Sequence, residues 1–231
     1  VSSAEIQPSD SLIQDTITET AVKPVVKKLT GEQIQLTKDL LYDKYTLNDT
    51  YPYKDTTRQF QWDKIKERLA LLENIQLQPS TWAILQNYKN RNGEAPLVKN
   101  FKRNAYGRVA DTLGIERYQS VPLYLLTDTL VPERYGQDGE LTRFIEDGEK
   151  FIKAEPMFTG DEWMIPKKYV KVIGDTIVFN KVVFVDRHNQ NIASLERSGK
   201  GQWVVRSMNP STTGRHLPPY AQETPLGMFV L

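Results

Sequence analysis

Polar and apolar positions follow four different rhythms along the chain. In VSSAEIQPSDSLIQDTITETAVKPVVKK and the Leu29 that follows it, apolar residues are scattered among Ser, Thr, Glu and Gln, and no aromatic occurs. Such a segment buries too little surface to offset the entropy of ordering it. Residues 1–29 are therefore expected to form a flexible tether. It reads either as a plain terminus or as a spacer between an anchor and a folded body.

Residues 30–119 are expected to be mainly helical. TGEQ fits a capping box, with Thr30 as cap and Gln33 reaching back. Ile34, Leu40, Leu41 and Tyr45 then recur near helical spacing. A clearer helix follows the turn-like NDTYPYKD. In TRQFQWDKIKERLALLENIQ, Trp62, Ile65, Leu69 and Leu72 form a three-four stripe. Lys64, Lys66, Glu67 and Arg68 fall on the other faces, where they read as solvated charge. Asn92-Gly93 marks a turn.

From 120 the rhythm changes to short β-rich pieces. VPLYLL, LTRFIED, KFIKAEP and EWMIPKKYVKVI are punctuated by GQDGE and EDGEK. Strands at this spacing predict a small barrel or sandwich over 120–173, with Trp163 and Tyr169 in its core. Residues 174–231 also break into strands. KVVFVD, NIASLER and GQWVVRSM are separated by the turns RHNQ and SGKG. TPLGMFVL is expected to start a fourth strand, its Pro225 at the entrance where a missing N–H costs nothing. The fold class expected is α+β and multidomain: a helical N-terminal region, a small β-barrel-like module, and the opening strands of a β-sandwich.

Composition narrows the function classes. At 231 residues the chain suits one large domain or two to three small ones, and at 39% hydrophobic it can bury a core. Lys and Arg number 30 against 29 Asp and Glu, so the net charge of +1 leaves no footprint for nucleic acid or an anionic membrane. Lys89, Arg91, Lys99, Lys102, Arg103 and Arg108 interleave with Tyr88, Phe101 and Tyr106, but Glu94, Asp111 and Glu116 dilute them. That stretch reads as solvated surface. There is no cysteine, which excludes disulfides, zinc-thiolate sites and a Cys nucleophile within these residues. His188 and His216 stand 28 positions apart with no H-E-x-x-H pattern, and no G-x-S-x-G occurs. Metallopeptidase and Ser-His-Asp hydrolase chemistry are poorly supported. No apolar run approaches the roughly 18 residues of a membrane span, and no basic-then-apolar leader is visible. The first residue is Val rather than Met, which fits a processed form.

Two resemblances emerge from these pieces. DEWMIPKKYVKVI resembles the closing strand of a Src-homology-type small barrel, whose bacterial relatives often bind cell-wall peptides. The last stretch resembles the start of an L,D-transpeptidase (YkuD-type) catalytic domain. The matching positions are Asp186, Asn189 or Asn191, Leu195, then Thr213 and Gly214, then Thr224, Pro225, Gly227 and Phe229. In that family the residues at these positions shape the domain and do not perform the chemistry. The resemblance implies an exported protein of the periplasm or cell envelope whose partners are peptidoglycan stem peptides, with no metal or organic cofactor. It implies acyl transfer by a thiolate with an imidazole beside it. No catalytic residue of this chain matches that role, so the His/Cys motif is expected beyond Leu231 and the 231 residues are expected to be inactive alone. His216 and Tyr220 are the substrate-binding candidates. A lipid anchor at a removed N-terminus stays open. The alternative is a non-enzymatic cell-wall-binding or scaffolding module.

Overall fold

The computed structural model describes residues 27–41, 50–53, 56–77 and 79–231. Apart from 27–29, the tether expected at the N-terminus lies outside them. Among the described residues the protein is mostly β-sheet with one α-helix.

The first layer pairs that helix with a four-stranded sheet. The helix, α1, spans Trp62–Ile75 and buries Ile65, Leu69 and Leu72 of the expected stripe together with Ala70 and Glu73, while Trp62 is half-buried. The sheet contains β1 (Gln35–Lys38) and, from the far end of the chain, strands at Lys181–Asp186, Asn191–Gly199 and Gln202–Pro210. Those last three are β13, β14 and β15 when the intervening strands are numbered in order. The order across the sheet is β1-β15-β14-β13. The C-terminal three are antiparallel, whereas β1 joins β15 in parallel, Gln35 opposite Gln202. One core holds the layer together: Ile65, Leu69 and Leu72 of α1 pack with Ala193, Leu195, Trp203, Val205 and Met208 of the sheet.

The second layer is an antiparallel sheet of five strands. They are β4 (Thr81–Leu85), β9 (Leu141–Asp147), β10 (Phe151–Pro156), β11 (Trp163–Pro166) and β12 (Val170–Gly174). Their order is β11-β10-β9-β4-β12. Trp163 and Tyr169 are 5% and 2% exposed and sit in the core of this layer with Leu85, Val121, Leu123 and Ile165. Three two-stranded sheets complete the description: β2 (Thr50–Tyr53) with β3 (Thr56–Gln59), β5 (Lys102–Arg103) with β6 (Val109–Ala110), and β7 (Ser120–Leu123) with β8 (Arg134–Gln137).

Four expectations need correction. The stretch 30–119 is not mainly helical. The capping-box signal is met in part, since Thr30 N–H donates to Gln33 Oε1 at 2.9 Å, but it closes a single 3-10 turn at Gly31–Gln33. The chain then extends into β1, because the open edge of β15 offers it a ladder: Gln35 N–H donates to Gly201 O and Asp39 N–H to Val205 O. The module expected over 120–173 is an open sheet, not a barrel, and it takes its strand β4 from upstream. Among the described residues the layer facing β13–β15 is α1 rather than a second sheet. Finally, TPLGMFVL does not become a fourth strand beside β15. That place is taken by β1, and the segment lies instead on the turn between β8 and β9. There Phe229 bridges Glu140, Leu141 N–H donates to Met228 O at 2.9 Å, and Val230 N–H donates to Gly139 O at 3.0 Å.

The two layers touch beside β4 and along the C-terminal segment. Trp82 of β4 meets Phe179 edge-on with ring centroids 5.1 Å apart. The side chain of Gln76, just past α1, accepts from Phe179 N–H at 2.8 Å. The segment 211–230 starts at the end of β15 and finishes on the five-stranded sheet.

Candidate functional site

Asp186 closes β13 and organises the turn to β14. Its Oδ1 accepts the backbone N–H groups of His188 and Asn189, both at 2.9 Å. Its Oδ2 accepts Asn189 Nδ2–H at 2.8 Å and Gln61 Nε2–H at 2.7 Å. Burial disfavours the carboxylate, but these donors outweigh it and hold Asp186 below its ordinary pKa. Gln61 immediately precedes α1, so this contact ties the helix to the turn. The second Asn, Asn191, is buried and donates to Gln59 O at 3.1 Å. Leu195 lies in the core between sheet and helix.

Gln190 passes this order on to the C-terminal segment. It has a positive φ of 55°. Its Oε1 accepts Thr213 N–H at 3.0 Å, and its Nε2–H donates to Arg187 O at 2.7 Å and to Thr213 Oγ1. Gly214 N–H donates to Thr224 Oγ1 at 2.9 Å. The two strands of this loop approach so closely that a Cβ on Gly214 would overlap the carbonyl oxygen of Gln222, which accounts for glycine there. Arg187 reaches across to donate to Thr224 O and stands 4.0 Å from the Glu223 carboxylate. Thus Asp186 with Asn189, Thr213 with Gln190 and Arg187, and Thr224 with Gly214 and Arg187 form adjacent hydrogen-bonded groups along the 186–190 turn and the C-terminal segment.

The rest of the predicted motif lies elsewhere. Pro225 is exposed. Gly227 lies against Phe229, whose ring a Cβ would overlap, and Gln137 Nε2–H donates to Leu226 O at 2.8 Å. These residues anchor the segment to the β8–β9 turn. His216 and Tyr220 stay outside the hydrogen-bonded groups. His216 Nδ1 lies 3.2 Å from Tyr106 Oη, with the two rings edge-on, and Tyr220 is 87% exposed. Neither faces the cleft described next.

A cleft of about 540 Å³ opens beside the hydrogen-bonded groups. Ile65, Phe184 and Ala193 line its apolar part, where α1 meets the sheet. Lys64, Arg68, Arg187 and His188 line its polar part, with Gly214, Glu223 and Leu226 on the side of the C-terminal segment. His188, which the sequence presents as a plain turn residue, is therefore the histidine at the cleft. Lys64 and Arg68 were legible only as helix charge. Their i, i+4 spacing placed them on one face, but only the return of the chain at 184–188 makes that face a wall. Among the described residues no group of three His, Cys, Asp or Glu could hold a metal ion, and no helix is long and apolar enough to cross a membrane.

No protein-family model, curated protein or solved structure gives a significant match to the chain.

Proposed function

We propose that the chain is the N-terminal part of an exported L,D-transpeptidase-like protein that cross-links or modifies peptidoglycan stem peptides by cysteine acyl transfer. One observation carries the reading. Motif residues scattered from Asp186 to Thr224 lie in adjacent groups, held by the Asp186–Asn189, Gln190–Thr213 and Gly214–Thr224 hydrogen bonds.

In this reading β13–β15 are the opening strands of the catalytic β domain, and the thiolate belongs to sequence after Leu231. The thiolate attacks the carbonyl carbon of the stem's last amide bond. The terminal D-amino acid leaves with a proton on its amine, and the acyl group passes to the amine of a second stem, restoring the thiol. The residues present here would shape the site and hold the stem, and no cofactor takes part.

Tetrapeptide stems and mass spectrometry test this. The 231-residue chain alone should form no cross-linked product. The same chain extended by the sequence that follows it in its gene should form it, and alkylation should abolish that product. Cross-links made by the 231 residues alone would overturn the reading and turn attention to Ser211, Thr212 and Thr213. So would an extended chain whose products survive alkylation.

A further inference from the structure

The cleft combines an apolar floor with a cationic rim, and its two kinds of charge are unequally satisfied. The acidic groups are already engaged. Asp186 accepts four hydrogen bonds, and the Glu223 carboxylate lies 4.0 Å from Arg187. Two of the three cationic side chains are not. Lys64 and Arg68 point to the cleft from successive turns of α1, and neither has a hydrogen-bond or ion-pair partner among the described residues. Arg187 already holds the Thr224 carbonyl and keeps further donors in its planar fork. Ile65 and Ala193, 8% and 1% exposed, lie beneath with Phe184.

We infer that this cleft binds the carboxylate-bearing end of a short peptide, with Lys64, Arg68 and Arg187 taking the carboxylate and Ile65, Phe184 and Ala193 taking the aliphatic side chain next to it. The inference rests on the transpeptidase reading for naming the stem peptide as the ligand, but the chemistry of the cleft stands without it. A ligand of this kind needs an anion and a small apolar group a few ångströms apart. The rim supplies charge-assisted donors for the first, and the floor excludes water from the second. A volume of about 540 Å³ lies in the range of sites that take a small ligand. The Asp186 assembly gives the cleft a fixed wall. Gln61 ties α1 to the β13–β14 turn, and Arg187 ties that turn to the C-terminal segment, so the three cationic groups are carried on elements already locked together.

Calorimetric titration of the 231-residue chain tests the inference with three synthetic probes: a tetrapeptide stem with its carboxylates free, the same stem fully amidated, and an acidic all-L tetrapeptide. Lys64→Gln with Arg68→Gln is the variant. Both positions are exposed and glutamine keeps the helix, which circular dichroism and the melting curve would verify. The free-acid stem should bind the parent chain, weaken as salt rises, and bind the variant about tenfold more weakly or worse. The amidated stem should bind both proteins equally weakly. Equal affinity of parent and variant for the free acid, or equal affinity of the parent for free and amidated stems, would overturn the inference. If only the all-L peptide binds in a Lys64- and Arg68-dependent way, the carboxylate site stands and the transpeptidase reading falls. If no probe binds, the inference falls whatever the activity assay gives.

Discussion

Glu73 and Glu140 are both almost fully buried, yet one is held charged and the other is pushed towards neutrality. Burial raises Glu73, but the Arg197 guanidinium donates to both its oxygens at 2.7 and 2.9 Å, and Gly201 N–H and Trp203 Nε1–H donate at 3.1 Å. Together they bring its pKa below the ordinary value. Glu73→Gln leaves part of this donor set without an acceptor. It should cost about 3 kcal/mol in urea denaturation, the low end for a broken buried pair because Arg197 keeps some hydration. Among the described residues Glu140 has two backbone donors, Gln137 N–H and Phe158 N–H at 3.1 Å, with the charge of Arg134 nearby. Burial prevails and raises it from 4.5 to about 7. The folded state therefore holds this proton more tightly than the unfolded chain does. Stability from this group is greatest below pH 4.5 and declines as pH rises to about 7, by about 3 kcal/mol. Comparing the pH profiles of the parent and Glu140→Gln should show that decline in the parent alone. Parallel profiles would remove Glu140 from the account.

At the scale of single elements, the legible parts were those whose pattern is complete within one segment. The Trp62–Leu72 stripe contains everything needed to make α1, and alternation marks β13, β14 and β15 with the turns 187–190 and 200–201 between them. β1 was illegible because a distant edge decides it. Its four residues, Gln-Leu-Thr-Lys, carry no strong preference, and the ladder of β15 supplies one. The TPLGMFVL segment failed for the same reason: two edges competed for it, and sequence does not rank them. The turn at 187–190 was legible, but the cleft was not, since three segments apart in sequence line it. In β11, Trp163 is core, as expected. Among the described residues its buried Nε1–H has no acceptor, and its ring lies 6.0 Å from the Arg134 guanidinium. Trp163→Ala should cost about 3–5 kcal/mol, whereas Trp163→Phe should cost clearly less, because phenylalanine refills much of the space and removes an unsatisfied donor. Thermal melts of the two variants would check this, and equal losses would mean that the indole N–H is not a liability.

At the scale of the whole molecule, the chain leaves the four-stranded sheet and returns to it. The helix and β1 come before the whole five-stranded sheet in sequence, while β13–β15 come after it. This arrangement sets a timetable for a chain made from its N-terminus. When α1 has emerged, the residues that cover its apolar stripe, Leu195, Trp203, Val205 and Met208, have not yet been synthesised. Ile65, Leu69 and Leu72 wait while the five-stranded layer is translated and folds. Contacts of such separation are slow to form, and an uncovered helix face is the kind of surface that a chaperone or a translocation factor recognises. The sheet that carries the candidate site therefore closes only after all five strands of the other sheet have been made. An interruption of synthesis before β14 leaves the helix without the sheet residues that cover it, Ala193, Leu195, Trp203, Val205 and Met208.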